Sequence, residues 1–291
     1  MIDFPLILGS FLVAIVVGLT GMGGGALMTP MMMLFFNVPP LAAVSSDLVA
    51  SAVMKPVGSV VHLRRGTVNL RLVGWLCAGS VPTAFCGVFL ARAFAVTDAV
   101  KYALGVALLL AVAGMALKSW LGSRGGTSSA HEIVVRPIPT LLVGMVGGLV
   151  VGISSVGSGS LIIVALLALY PALKANQLVG TDLVQAVPLV TSAALGHLLF
   201  GDFQLDLTLS LLIGSIPGVY LGARISSRAP GGFIRALLAI VLLASALKLL
   251  DVSNTITVWA LVAATVVTVV GWRITAGGRA SSGSKDPEPV R

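Results

Sequence analysis

Four polar side chains within one apolar stretch define the chemistry open to this chain. Asp47, Ser51, Lys55 and His62 fall within about 80° of one another around a helix turning about 100° per residue, so they share a face. A lysine well inside an apolar span costs on the order of 3 kcal/mol to insert and must face a cavity or a partner. There it is suited to hold an anion; the alternatives are a lysine snorkelling along its helix or one paired with Asp47. Such a pair would have to bridge about 12 Å of helix rise, which only a break could shorten, and Pro56 and Pro188 are placed to kink their segments. A second polar set, Asp182, Gln185 and His197, lies further along. The two aspartates suit proton coupling or gating, or equally the capping of an interrupted helix end. Histidine is the side chain type that changes charge around neutral pH, so His62 and His197 suit a proton relay, or else an interfacial position at a segment end. Gln185, one turn beyond Asp182, can donate its amide to a substrate.

The positive charge of Lys55 is complemented by two glycine-rich breaks. Gly18-Leu19-Thr20-Gly21-Met22-Gly23-Gly24-Gly25 interrupts one apolar run, and Gly152-Ile153-Ser154-Ser155-Val156-Gly157-Ser158-Gly159 interrupts another. Each is followed by a short apolar segment, 24–36 and 158–170. Half-helix N-termini at matched breaks aim backbone N–H groups at a ligand, and the ligand expected of them is an anion. Thr20, Ser154, Ser155, Ser158 and Ser160 add hydroxyls to the glycines Gly21, Gly23, Gly24, Gly25, Gly157 and Gly159. The competing reading is a packing face of small residues spaced four apart, such as Gly21 and Gly25. A phosphate-binding P-loop is excluded, because no Gly-Lys-Ser/Thr follows.

The elements that carry these residues come in two copies. Ser46-Asp47-Leu48-Val49 returns as Thr181-Asp182-Leu183-Val184, His62 as His197, and Gly79-Ser80-Val81-Pro82 as Gly214-Ser215-Ile216-Pro217, each about 135 residues later. With 57% hydrophobic and 10% charged residues and a mean hydropathy of +1.06, the composition is that of a membrane protein. The apolar runs have helix length, not the short alternating strands of a barrel. Segments are expected at 5–19, 24–36, 41–63, 72–91 and 100–120, then at 139–153, 158–170, 178–200, 207–225 and 233–250, with an unpaired one at 255–272. The fold class is therefore all-α, a polytopic transmembrane helical bundle of two repeats of five segments, the second of each short or re-entrant, plus an extra C-terminal helix. The expected division is an N-terminal repeat at 5–120, a cytoplasmic linker at 121–138, a C-terminal repeat at 139–250, an extra helix at 255–272 and a disordered cytoplasmic tail at 273–291.

An odd number of segments per repeat inverts the second copy in the membrane. The charges agree: with Arg64, Arg65 and Arg71 inside, Lys118, Arg124, Arg136, Lys174, Arg224, Arg228, Arg235 and the basic tail also fall inside, against Arg92, Lys101 and Lys248 outside. The net charge of +8 is accounted for by this bias, so nucleic acid is not an expected partner. Cys77 and Cys86 lie on opposite faces of one segment and do not suggest a disulfide. No metal-ligand cluster, cofactor motif or nucleophile with a base is present, so neither an enzyme nor a metal site is expected.

The chain resembles the sulfite exporter TauE/SafE family of membrane transporters. The resemblance lies in Gly21-Met22-Gly23-Gly24-Gly25 with Pro30, in Asn37-Val38-Pro39-Pro40 ahead of Ala43-Val44-Ser45-Ser46, and in His62-Leu63-Arg64-Arg65-Gly66-Thr67-Val68. It continues in Gly196-His197-Leu198-Leu199-Phe200-Gly201-Asp202-Phe203 and Pro217-Gly218-Val219-Tyr220-Leu221-Gly222-Ala223-Arg224. The chain departs from the family pattern at Asp47 and Asp182, and at Ser158 within the second glycine run. The resemblance implies an inner-membrane transporter, an exporter of sulfite, sulfonates or other small organic anions. The reading from the residues is a secondary transporter whose halves alternate access around a central anion site. Its partners are the anion, the lipid bilayer and protons, with a homodimer allowed. The alternatives are transport of another organic anion or a metal cation, and a structural membrane subunit.

Overall fold

A computed structural model of the chain describes residues 3–20, 24–94, 98–122, 135–157, 159, 161–171, 173, 175–226 and 231–266. These residues form helices and connecting turns. The first half contains α1 (Phe4–Thr20), α2 (Gly25–Phe35), α3 (Pro40–Arg64), α4 (Leu70–Ala93) and α5 (Ala99–Gly122). The second contains α6 (Pro137–Ser154), α7 (Leu161–Leu169), α8 (Ala175–Phe200), α9 (Leu205–Ser226) and α10 (Gly231–Leu249). A further helix, α11, spans Asn254–Val266.

Helices α4, α5, α6, α8 and α9 contain stretches long and apolar enough to cross a membrane. At 25 residues, α3 is long enough too, about 37 Å, but carries Asp47, Lys55, His62 and Arg64. The bundle is an all-α, multi-pass membrane protein whose second segment in each half is short, at 11 and 9 residues.

The strongest helix pairs cross between the halves: α1 packs along α9, α4 along α6, α3 along α8, and α5 along α10. Lipid tails are as apolar as leucine side chains, so association in a bilayer depends on close backbone approach. On α6, Gly144, Gly148 and Gly152 lie against the backbone of Leu76, Ser80 and Ala84 of α4, with no room for a Cβ. On α9, Gly214, Gly218 and Gly222 meet the backbone of Ile7, Phe11 and Ile15 of α1 in the same way. Small residues spaced four apart thus form close-packing stripes on α6 and α9; of the pair Gly21 and Gly25 offered as a competing packing face, Gly21 lies outside the described residues.

At the centre, α3 and α8 run antiparallel. Ser45 Oγ near the start of α3 bonds His197 Nδ1 near the end of α8 at 2.8 Å, while Ser59 Oγ near the end of α3 donates to the Leu183 carbonyl at 2.8 Å. Equivalent helices therefore run in opposite directions, as inverted repeats require. The two copies are not in identical conformations: α8 packs extensively on α4, whereas its counterpart α3 touches α9 over much less of its length.

Candidate functional site

The two glycine-rich breaks meet. Gly25, the first residue of α2, abuts the backbone and hydroxyl of Ser155, the C-cap of α6, leaving no space for a Cβ. Ser155 is left-handed at φ 59°, and Gly157 and Gly159 follow at φ 128° and 103°, values that glycine adopts without steric cost. These turns end α6 and separate it from α7. The α2 N-cap, Gly24, has no side chain to cap the helix, and its carbonyl takes the Leu27 and Met28 N–H groups at 3.0 and 2.9 Å.

Asp47 of α3 fills the junction. Its Oδ2 accepts hydrogen bonds from Thr29 Oγ1 of α2 at 3.0 Å and from Ser155 Oγ at 2.5 Å. The side chain is fully buried, and its Oδ1 meets no hydrogen-bond donor among the described residues. That oxygen lies 4.0 Å from where a Cβ on Gly24 would stand, facing the start of α2. The first break thus has a carboxylate of the chain itself beside it.

Lys55, two turns further along α3 and 9% exposed, lies within electrostatic reach of both Asp182 and Asp47. The antiparallel register accounts for this: Ser59 meets Leu183, which brings Asp182 to the far side of Lys55 from Asp47. Direct pairing across the rise of α3 is unnecessary, because the second repeat supplies a carboxylate from the opposite direction. Ser51, also buried, sits between Asp47 and Lys55 on this face.

On α8, Gln185 is fully buried and donates from Nε2 to Ser80 Oγ of α4 at 2.7 Å. Its Oε1 has no donor among the described residues. His197, also fully buried, bonds Ser45 through Nδ1 and the Gly152 carbonyl through Nε2, both at 2.8 Å, tying α8 to α3 and α6. Its counterpart His62 is less buried and bonds Thr67 Oγ1 in the adjoining turn at 2.9 Å. That places it about 22 Å along α3 from Asp47.

Among the hydroxyls expected at the breaks, Ser155 points at Asp47, while Ser154 donates to the Val150 carbonyl at 2.7 Å and so closes its own helix. Gly21, Gly23, Ser158, Ser160 and the side chain of Thr20 lie outside the described residues. The structure adds Thr29, Ser45 and Ser80 to the polar set. Ser80 carried a signal, since its Gly-Ser-x-Pro motif recurs at Ser215, whose buried hydroxyl has no partner among the described residues. Thr29 carried none, because Ile163 stands at the equivalent place in the other copy.

A bundle of inverted halves, with helix ends and buried charges meeting at its centre, is built as membrane transporters are. The chain belongs to the sulfite exporter TauE/SafE family, whose model matches residues 6–249. It is 35% identical over 252 residues to a Bacillus subtilis (strain 168) protein named "Probable membrane transporter protein YjnA", covering 84% of this chain and 98% of that one. It is 25% identical over 231 residues to "Probable membrane transporter protein YdhB" of the same organism, covering 77% and 91%. No solved structure matches the chain.

Proposed function

We propose that this transporter is a secondary carrier of small sulfur-containing oxyanions, sulfite or organosulfonates, working as an exporter in the inner membrane and coupled to protons. The observation that carries the reading is Lys55, a buried ammonium set between two buried carboxylates of opposite repeats. Such a charge in a span is retained where it serves a path. An anion drawn in by the Lys55 charge competes with the carboxylates that otherwise neutralise it, and a proton on either aspartate favours that exchange. Ser51, buried on the same face of α3, and Gln185, buried on α8, supply polar contacts, and the family to which the chain belongs is described by sulfite export.

The unequal packing of the two halves supplies the movement. In the present state α8 is closed on α4, held by Gln185 on Ser80 and by Ser192 Oγ on the Val81 carbonyl at 2.7 Å. In the other access state α3 closes on α9 and α8 leaves α4, so the halves exchange conformations around Lys55.

Flux of labelled sulfite in proteoliposomes tests the assignment of Lys55. Lys55→Ala should reduce flux at least about a hundredfold, as expected for a lost buried charge contact, while the protein remains folded in the membrane. Lys55→Arg should retain part of it. Wild-type flux from Lys55→Ala would overturn the assignment.

A further inference from the structure

We infer that the Thr29 and Ser155 hydroxyls are the seat of the transported oxyanion, and that Asp47 occupies this seat as a tethered competitor which protonation displaces. The inference rests on the oxyanion-carrier reading above and names donors that the reading leaves open.

The two hydroxyls come from different helices in different repeats, yet converge on one oxygen, Asp47 Oδ2, at 3.0 and 2.5 Å. Ser155 is preset for this: its backbone N–H bonds the Val151 carbonyl at 2.8 Å, and its left-handed turn aims Oγ at the junction. Thr29 is fully buried. Two O–H donors converging in a water-poor interior are what a sulfite or sulfonate oxygen requires, and a carboxylate oxygen makes the same demand. Here the demand is met by a side chain that can be neutralised.

The other carboxyl oxygen marks Asp47 as the displaceable group. Oδ1 is buried without a donor among the described residues, so it is the carboxyl oxygen open to a proton. A proton from the aqueous phase joins Oδ1, forming one O–H bond and cancelling one negative charge. The neutral acid is a weaker acceptor, so the hydroxyls turn to the incoming anion. The field of Lys55, two turns away on the same helix, then acts on the anion. The titratable side chains described on α3 and the helices packed against it are Lys55, His62 and Arg64 on α3 itself, Asp182 and His197 on α8, Asp206, Tyr220 and Arg224 on α9, and Lys101 and Tyr102 on α5, whereas α2 and α6 bring none. Proton and anion therefore bind together, one for one.

The test uses the full chain in lipid nanodiscs, with methanesulfonate and sulfate as probes because both stay ionised across neutral pH. Binding is followed calorimetrically and proton uptake with a pH dye in weak buffer. Wild-type protein should take up one proton per anion, and its affinity should rise about tenfold for each unit of pH lowered while Asp47 is ionised. Asp47→Asn should bind anion independently of pH without proton uptake. Thr29→Val should weaken binding about tenfold, the scale of one hydrogen bond to a charged group, and leave the proton count at one. Anion binding by wild type without proton uptake overturns the inference alone, as does an Asp47→Asn protein that keeps the wild-type pH dependence. Should that variant fail to fold, the wild-type proton count decides. Binding of neither probe by folded wild-type protein overturns the carrier reading itself.

Discussion

Ser155 shows how much of the site depends on single atoms. Its hydroxyl reaches Asp47, its carbonyl leaves Gly25 no room for a side chain, and its left-handed backbone ends α6. Gly25→Ala would drive a methyl group into that carbonyl and force α2 away from α6. Overpacking of this kind costs about 1–3 kcal/mol, so the variant should unfold at lower temperature, with transport impaired even below that temperature; an unchanged thermal midpoint would show that the contact is not this tight. By contrast, the exposed pair at the end of α10 has little part in stability. There Lys101 Nζ meets Asp251 at 2.7 Å, and this bond, with one from the Tyr102 hydroxyl, holds the Asp251 carboxyl below the usual carboxylate range. Its contribution is present above the ordinary carboxylate range and is lost as pH falls through the lowered value. Asp251→Asn should leave transport at neutral pH unchanged.

At the scale of helices, the glycine stripes make a sharper prediction. Gly148→Leu on α6 would place a bulky side chain against the Ser80 backbone, and separating α4 from α6 would also move Ser80 away from Gln185. The variant should lose both thermal stability and transport, whereas Leu142→Ala on the exposed face of the same helix should lose neither. Helix positions were legible because apolar length and breakers define them: the segment expected at 41–63 is α3 at Pro40–Arg64. The short seventh helix begins later than expected, at Leu161 instead of residue 158, because Gly157 and Gly159 hold positive φ. Which residues share a site was only partly legible. Periodicity placed Asp47, Ser51 and Lys55 on one face, but a single helix says nothing of what crosses it. That Asp182 approaches Lys55 from the other direction, and that Thr29 and Ser155 clasp Asp47, depends on the register of α3 against α8 and on the meeting of the breaks. Both are tertiary facts without a local signal.

Across the whole molecule, repeat identity and repeat difference have separate consequences. The duplication, visible in the returning Ser/Thr-Asp-Leu-Val and Gly-Ser-x-Pro motifs, gives two halves that interlock so that the principal pairs cross between them. The difference, α8 closed on α4 while α3 stands less closely on α9, is the asymmetry that the proposed alternating-access cycle would exchange. A cross-link across α4 and α8 should therefore arrest the cycle. A Cβ on Gly196 would stand 3.4 Å from Val88 Cβ, close to disulfide geometry. With Cys77 and Cys86 replaced by serine, the Val88→Cys/Gly196→Cys protein should stop transporting when oxidised and recover with reductant. Equal rates in both redox states would mean that this interface does not open.

The central claim, a proton-coupled carrier of small sulfur oxyanions, is tested most directly by uptake of labelled sulfite and a labelled small sulfonate into proteoliposomes of the wild-type protein, with and without an imposed pH gradient. The account predicts saturable flux of at least one of them, accelerated by the gradient and returned to the gradient-free rate when the gradient is collapsed. Folded protein that carries neither anion, or carries one at a rate indifferent to the gradient, would contradict it.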